Sequence, residues 1–205
     1  MSNKVLDQSR ASYFDELADK WDLGRKPPTT QVKSFIARLN IQTGDTVLDI
    51  GTGTGLLIPY IFEYNPAKVV AIDLSVRMLQ KLTEKFGNRF KPKLVTHCSD
   101  VHNWDLQDQF AEVAICNGVY PHFHDEQLAL SQIFRVLRPG GVLAINHFNS
   151  KDFINLVHAG INHELICQDL LKPVAIVADT VRKVGFTISE VMDDETQYCL
   201  IAKKD

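Results

Sequence analysis

The sequence lacks the segments that mark a membrane-spanning or secreted protein. It has no apolar run of about 18 residues, and its amino terminus has no apolar core of signal-peptide length. The four cysteines form no CxxC pair and are Cys98, Cys116, Cys167 and Cys199. We therefore expect reduced thiols, no membrane segment and a cytoplasmic location.

The chain also lacks a strong excess of charge of either sign. Its formal net charge is −3, with 23% charged and 45% hydrophobic residues. A balance of this kind is normal for a globular domain and provides no electrostatic footprint for nucleic acid. The length of 205 residues predicts one domain of ordinary size with a substantial core, and nucleic acid is not an expected partner.

Two well-known glycine motifs are absent. Gly51, Gly53 and Gly55 occupy the first, third and fifth positions of their segment, and Leu56 occupies the sixth. The dinucleotide-binding fingerprint requires glycine at the first, third and sixth positions. No Gly-Lys-Ser/Thr follows either, as a P-loop would require. The spacing therefore disfavours a dehydrogenase and excludes the P-loop motif at this position.

These glycines nevertheless follow an apolar segment, 47–50, and precede a segment with helical apolar spacing, 56–62. A buried strand, a glycine turn and a helix in succession place free backbone N–H groups and the positive end of a helix dipole beside the turn. This arrangement suits a nucleotide-type ligand. The alternative is a tight turn that binds nothing.

The next apolar run, 68–73, ends in Asp73, which lies 18 residues after Gly55. A carboxylate at the carboxyl end of the second strand is placed to accept hydrogen bonds from both hydroxyls of a ribose. The alternative role for Asp73 is the N-cap of the following helix, although Ser75 is also suited to that role.

Apolar runs and helix-forming segments alternate along the chain. The predicted strands lie at 46–50, 68–73, 93–97, 112–116, 142–147, 186–192 and 197–203. The predicted helices lie at 10–22, 31–39, 55–64, 75–86, 126–136, 151–166 and 174–183, with a turn at 138–141. This alternation predicts an α/β fold with a doubly wound, mostly parallel seven-stranded sheet, helices on both faces and an antiparallel last strand.

Five motifs, in order, resemble those of the class I S-adenosylmethionine-dependent methyltransferases. They are VLDIGTGTG at 47–55, VVAIDLS at 69–75, CSD at 98–100, EVAICNGVYPHF at 112–123 and LRPGGVLAI at 137–145. The segment 13–22 is similar to the amino-terminal helix of that family's ubiquinone/menaquinone-biosynthesis-like branch. The resemblance covers residues 12–150 and fades between 150 and 178.

The resemblance implies S-adenosylmethionine as cofactor and assigns most of its contacts to strand ends. Glycines and Thr52 would surround the methionine portion, Asp73 would bind the ribose, and Asp100 would accept from the adenine amine. Asp49 would orient the amino group or organise the turn, Asp100 is also suited to cap the next turn, and two apolar helix residues would flank adenine or belong to the core. The predicted cofactor contacts are Asp49, Gly51, Thr52, Gly53, Gly55, Asp73, Leu74, Met78, Asp100, Val101, Asn117 and Gly118.

The resemblance also implies a single domain over 1–205. In it, 1–40 would form a helical cover and 150–178 a helical insertion on the substrate side. Aromatic and acidic residues near the amino terminus, Tyr13, Phe14, Trp21 and Asp22, suit a cover that closes over the cofactor.

Three histidines are predicted to be catalytic. His122 follows the fourth strand, His147 ends the fifth, and His158 lies on the next helix, so we expect them on the substrate side of the cleft. Imidazole titrates near neutral pH and suits a general base. The cluster is also suited to hold a metal, although no metal is assigned, or to be structural. His97 and His102 are assigned structural roles.

The sequence lacks the Asn/Asp-Pro-Pro-aromatic pattern of family members that methylate amide or exocyclic amine nitrogens, and has Asn117-Gly118-Val119-Tyr120 instead. We therefore predict a methyltransferase for a small-molecule acceptor, with no prediction of the atom methylated or of the oligomeric state. The alternatives are the same fold with other transfer chemistry, such as aminopropyl transfer, a dehydrogenase, and a non-catalytic binding or scaffold protein.

Overall fold

The computed structural model describes residues 7–24 and 26–205. Seven strands form one sheet. They are β1 Thr46–Ile50, β2 Lys68–Asp73, β3 Leu94–Cys98, β4 Ala111–Asn117, β5 Leu137–His147, β6 Phe186–Asp193 and β7 Tyr198–Lys204. Their order across the sheet is β3-β2-β1-β4-β5-β7-β6. Six of these strands run in one direction, and β7 runs in the opposite direction. The predicted fold class is confirmed.

Helices connect the strands. They are α1 Gln8–Leu17, α2 Thr29–Arg38, α3 Ile58–Ile61, α4 Val76–Leu82, α5 Asn88–Phe90, α6 Glu126–Val136, α7 Lys151–Ala159 and α8 Val174–Val184. Short 3-10 turns add Trp21–Leu23, Phe62–Tyr64, Tyr120–His122 and Ile166–Gln168, and a π-turn, Thr83–Gly87, joins α4 to α5. In the part of the chain that the structure describes, no helix is long and apolar enough to cross a membrane.

The inner strands are buried on both faces, as expected when helices cover both sides of a parallel sheet. Along β2, Val70 and Ile72 belong to one hydrophobic cluster, whereas Val69 and Ala71 belong to the other. Alternate side chains of a strand point to opposite faces, so one short apolar run supplies both cores.

Several predicted boundaries were wrong. The first helix, predicted over 10–22, spans Gln8–Leu17, and a separate 3-10 turn, Trp21–Leu23, follows it. The helix after β1 begins at Ile58, not at 55, because Gly51, Gly53 and Gly55 all have positive φ. The helix predicted over 151–166 ends at Ala159, where the backbone N–H of Gly160 donates to helix carbonyls. The predicted turn at 138–141 is part of β5, where the pairing with β4 shifts register between Ala111 and Val113.

The order of the strands leaves a crevice at one end of the sheet. From β1 the chain proceeds outward through β2 and β3, and it then returns to pair β4 with the other side of β1. The order of strands therefore reverses between β1 and β4. Loops diverge at such a point and leave a crevice outside the carboxyl ends of the strands.

Candidate active site

A cavity of about 200 Å³ lies at this crevice. It is lined by residues that follow β1, β2, β3 and β4, and it is closed on one side by α1 and the 3-10 turn after it. Ten of the twelve predicted cofactor contacts line the cavity: Gly51, Thr52, Gly53, Asp73, Leu74, Met78, Asp100, Val101, Asn117 and Gly118. Asp49 and Gly55 do not line it.

The glycine turn after β1 is tightly packed at its first residue. Gly51 has φ +66°, and a Cβ atom there would lie 2.5 Å from Cβ of Val119. A side chain at 51 would therefore displace the loop after β4. Gly55 has φ +87°, and a Cβ on it would meet Leu82 and Ile58, so its role is in packing the turn against α3 and α4.

Asp49 and Thr52 hold the turn together. The Thr52 hydroxyl donates to Asp49 Oδ2 at 2.6 Å, and the Thr52 backbone N–H donates to the carbonyl of Ile72 on β2. Burial raises the pKa of the Asp49 carboxyl to about 7, and the nearby Asp73 carboxylate adds to that shift. Of the two roles considered for Asp49, the contacts favour organisation of the turn.

Asp73 joins the end of β2 to the glycine turn. Its Oδ2 accepts from the Gly53 backbone N–H at 2.8 Å, and its Oδ1 accepts from Ser75 N–H at 2.9 Å. Ser75 caps α4 through its hydroxyl, so Asp73 is not the helix cap. A carboxylate offers about four acceptor positions, which leaves capacity for ribose hydroxyls. Burial raises the pKa of Asp73 to about 6.

Asp100 lines the cavity and is in contact with His102. Asp100 Oδ1 accepts from the His102 backbone N–H at 2.9 Å and lies 2.5 Å from His102 Nδ1. These bonds hold the pKa of Asp100 below its usual value despite burial, which opposes them. The Asp125 N–H donates to the other ring nitrogen of His102 at 3.4 Å. His102 and the stacked His124 line the cavity, which the sequence did not predict.

Asp100, His102 and His124 have potential ligand atoms within 4.8 Å of one another. Both ring nitrogens of His102 already have hydrogen-bond partners. A metal bound through His102 would have to displace one of them, so the contacts favour a hydrogen-bonded cluster over a metal centre.

Apolar side chains form the wall between Asp73 and Asp100. Leu74, Met78 and Val101 line the cavity, together with the strand residues Ile50 and Ile72. Met78 is also part of the buried core, so both roles considered for it apply. Apolar side chains and two carboxylates in one cavity are the groups that a purine nucleoside would require, apolar contacts for its ring and acceptors for its ribose and amine.

The cavity lining is acidic. Among the lining residues of 7–24 and 26–205, the acids are Asp7, Asp73 and Asp100, and there is no lysine or arginine. A ligand with several negative phosphates would meet carboxylates without a basic partner. A ligand with positive groups beside neutral ones would be stabilised, because opposite charges at short range attract most strongly where water is scarce.

Helix α1 and the turn after it cover the cavity. Phe14 and Trp21 line it, and Trp21 Nε1 lies 3.5 Å from where a Cβ on Gly53 would stand. Asp15 Oδ1 accepts from the Ser75 hydroxyl and from Arg77 N–H, which fastens α1 to the start of α4. The Thr54 hydroxyl donates to Asp22 Oδ1.

Asn117, Gly118 and His122 line the cavity from β4 and the loop that follows it. Asn117 Oδ1 accepts from the side-chain amide of Asn146 at 2.8 Å, which orients the Asn117 amide. Gly118 has φ +72°, and no atom lies within 4 Å of a Cβ built on it, so its surface faces open space. His122 ends the 3-10 turn that follows.

The three predicted catalytic histidines lie near one another, but only His122 lines the cavity. The rings of His122 and His158 are 5.1 Å apart, and His158 Nδ1 contacts the backbone carbonyl of Asp169. His147 is buried with Nε2 unpartnered, and burial, with smaller contributions from the other two rings, lowers its pKa to about 3. The roles of His147 and His158 stay predictions.

Sequence reasoning did not identify the partners of His122. Asp169 Oδ2 lies 2.7 Å from His122 Nδ1, and Arg10 binds both oxygens of Asp169, at 2.8 and 2.5 Å. Asp169 lies in the segment least like any family motif, and 159 residues separate it from Arg10. No local pattern in the sequence connects two such positions.

The comparisons with known proteins agree with this geometry. Residues 48–145 match the family model described as a methyltransferase domain. The chain is 31% identical over 147 residues to the demethylmenaquinone methyltransferase of Thermobifida fusca, which covers 68% of this chain and 61% of that protein. It is 27% identical over 137 residues to the malonyl-[acyl-carrier protein] O-methyltransferase of a Marinomonas species, covering 66% of this chain and 50% of that protein.

Solved structures with the same fold include two of methyltransferases. Phosphoethanolamine N-methyltransferase 2 of Haemonchus contortus, in complex with S-adenosyl-L-methionine, superposes with TM-score 0.76 at 20% identity and covers 96% of this chain and 58% of that one. A SAM-dependent methyltransferase from Aquifex aeolicus superposes with TM-score 0.70 at 18% identity and covers 94% and 97%. The fold prediction is confirmed again.

The chain spans about half to three fifths of the length of the first curated relatives it matches. Residues 48–145 match a methyltransferase domain, in agreement with the predicted domain class, and both relatives are named as methyltransferases. The particular ubiquinone/menaquinone-like branch stays a prediction, since the two relatives are named for different acceptors.

Proposed function

We propose that this chain transfers a methyl group from S-adenosylmethionine to a small-molecule acceptor. The observation that carries the proposal is the acidic cavity at the strand switch point, bounded by the glycine turn and Asp73 and lined by no lysine or arginine among the described residues. A sulfonium and an ammonium group suit such a cavity. A dinucleotide pyrophosphate does not suit it, because its negative charges would meet carboxylates without a lysine or arginine partner.

The cavity offers a consistent place for each part of the cofactor. The turn from Gly51 to Gly53 would hold the methionine portion, and Asp73 the ribose hydroxyls. Asp100 and the Val101 backbone would bind adenine, with Leu74 and Met78 on its faces. Asn117 and Gly118, which also line the cavity, would then lie beside the transferable methyl group.

The cofactor would supply an activated methyl group, so the protein's contribution is alignment and exclusion of water. Phe14 and Trp21, on the amino-terminal cover, close the cavity on the side of the glycine turn. The absence of lysine and arginine from the described lining supports a small acceptor over a nucleic acid. We retain as predictions the single-domain organisation, with 1–40 as cover and 150–178 as substrate-side insertion, the cytoplasmic location and the absence of a nucleic-acid partner.

Calorimetric titration tests the cofactor assignment. S-adenosylmethionine should bind with one site per chain, whereas NAD should not bind at the same concentrations. Asp73→Asn should weaken S-adenosylmethionine binding by about 1–3 kcal/mol, since the amide accepts one fewer strong hydrogen bond. The exposed Asp179→Asn on α8 is the matched control and should leave affinity unchanged. Binding of NAD in preference to S-adenosylmethionine would refute the proposal.

Product analysis tests the reaction. Mass spectrometry of mixtures with small-molecule acceptors should show a gain of one methyl group together with S-adenosylhomocysteine. A gain of an aminopropyl group would indicate the alternative transfer chemistry. Binding without any turnover across acceptor classes would indicate a binding or scaffold protein.

A further inference from the structure

We infer that His122, held by Asp169, accepts a proton from the methyl acceptor, and that the acceptor is therefore a compound whose nucleophilic atom arrives protonated, such as a hydroxyl compound. The inference rests on the proposed function for its location in the methyl-transfer cavity. Asp169 is in this arrangement a positioning residue, and His122 is the group that touches the substrate.

The hydrogen bonds define which ring nitrogen is available. Asp169 Oδ2 lies 2.7 Å from His122 Nδ1, and an ionised carboxylate can only accept. Nδ1 therefore carries the proton, and in the neutral ring Nε2 has the free lone pair. A carboxylate that fixes the tautomer and orientation of a histidine in this way is a recurrent support for a general base.

Asp169 is itself firmly held. It is buried, and Arg10 donates to its Oδ2 from Nε and to its Oδ1 from Nη2. Arg10 in turn donates to Asp7 through Nη1. Bidentate bonding of this kind restricts the carboxylate to one orientation. Because Arg10 lies on α1, the cover that closes the cavity also fixes the partner of the histidine.

The ring of His122 lines the cavity to which the proposed function assigns methyl transfer. It lines the same cavity as Asn117 and Gly118, and the ring of Phe14 packs edge-on against it at 5.1 Å. With Nδ1 turned toward Asp169 and one side covered by Phe14, Nε2 is the nitrogen left for a bound acceptor.

Several charged or titratable groups on different elements influence the pKa of His122. Asp169 raises the pKa of His122, while burial is the larger influence and lowers it. His158 on α7 and Arg10 on α1 lower it further. His147 on β5 is the remaining neighbour and is neutral at physiological pH. The net shift is downward, so the ring is unprotonated near neutral pH, as a base must be.

The proposed step moves a methyl group to the acceptor and a proton to His122. A lone pair on the acceptor oxygen forms the bond to the methyl carbon, the carbon–sulfur bond breaks, and its electron pair stays on sulfur. The proton leaves the acceptor oxygen for His122 Nε2. The resulting imidazolium is stabilised by the Asp169 carboxylate. A carboxylate acceptor or a tertiary amine would need no such base.

Nuclear magnetic resonance of ¹⁵N-labelled histidine tests the pair in the protein without any ligand, with the His122 signals assigned through His122→Asn. Wild type should show His122 as the Nδ1–H tautomer. In Asp169→Asn the pKa of His122 should fall, because the carboxylate no longer stabilises the imidazolium, and the Nδ1–H preference should weaken. In Arg10→Gln the pKa should instead rise. Asp179→Asn should change neither.

An Nε2–H tautomer in wild type, or an unchanged His122 in folded Asp169→Asn, would overturn the inference. Should Asp169→Asn fail to fold, Arg10→Gln and the wild-type tautomer still decide it. The proposed function is judged separately, by binding of S-adenosylmethionine, so the two failures are distinguishable.

Methyl transfer to panels of phenols, carboxylates and tertiary amines tests the acceptor class. Phenols should be methylated, and His122→Asn should lower that turnover about 10²-fold or more while S-adenosylmethionine affinity stays near wild type. Asp169→Asn should lower the plateau rate and move the acidic limb of the pH profile to lower pH, and Asp169→Glu should recover part of the rate. Preferred methylation of carboxylates or tertiary amines, with His122→Asn fully active, would refute the acceptor class.

Discussion

Binding of S-adenosylmethionine should weaken as the pH is lowered from about 8 to about 5.5, because two carboxyls that favour a cationic ligand become protonated. Burial raises the pKa of Asp73 to about 6 and that of Asp49 to about 7. A cation stabilises the ionised form of each, so binding and proton release are linked.

The size of the effect follows from these values. If the ligand binds only when Asp73 is ionised, affinity falls about fourfold over that pH range. If Asp49 must be ionised as well, the loss is about 120-fold. The two cases differ enough to be separated by one titration series.

Calorimetry in buffers of different ionisation enthalpy measures both the affinity and the protons released. Asp49→Asn keeps an acceptor for the Thr52 hydroxyl but removes the titration, so its affinity should vary with pH by only the fourfold factor of Asp73. The amino group of the ligand titrates alike with wild type and variant, so their difference isolates Asp49. Affinity that falls equally in both proteins would refute a role for Asp49 in this linkage.

The same values fix the sign of the stability change without ligand. The folded protein keeps both carboxyls protonated up to pH values near 6 and 7, whereas an unfolded carboxyl loses its proton near the ordinary value of 3.8. The folded state therefore binds more protons between about 4 and 7, and the contribution of these groups to the free energy of unfolding falls as pH rises through that range. Asp49→Asn should be less sensitive to that rise in chemical denaturation.

Two further predictions concern the turn and the cover. Gly51→Ala should lower the free energy of unfolding, measured by chemical denaturation, by more than Gly140→Ala does. Both glycines have positive φ, which costs a residue with a side chain about 1–2 kcal/mol, but only a Cβ at 51 would clash with Val119. Equal losses in the two variants would contradict the clash. Asp15→Ala should make α1 more susceptible to proteolysis, because the Asp15 carboxylate accepts hydrogen bonds from Ser75 and Arg77. Glu16→Ala is the neighbouring control and should leave cleavage unchanged. Unchanged cleavage in Asp15→Ala would show that other contacts hold the cover.

Local signals in the sequence were sufficient to predict the inner strands and the strand-end residues that line the cavity. β1 and β2 lie within their predicted bounds because each is a short apolar run, and α6 lies where its apolar spacing indicated. Gly51 to Gly53, Asp73, Asp100, Asn117 and Gly118 line one cavity because parallel strands bring their carboxyl ends to the same edge. Strand-end position is a property of sequence order, so these residues could be found without coordinates.

The substrate side was less accessible to this reasoning. The helix predicted over 151–166 stops at Ala159, and of the three histidines predicted to be catalytic only His122 lines the cavity. The carboxylate that orients His122, Asp169, follows a short 3-10 turn with no periodic pattern. His102, assigned a structural role, lines the cavity as well as holding Asp100.

The amino-acid sequence alone determined the order of strands and helices, the glycine turn and the acids at the strand ends, since each depends on residues close together in the chain. Only the tertiary structure decided which histidines line the cavity and that Arg10 on α1 reaches Asp169 across 159 positions. Side-chain contacts of that range depend on how helices and loops pack over the finished sheet, and no local preference of the chain encodes them.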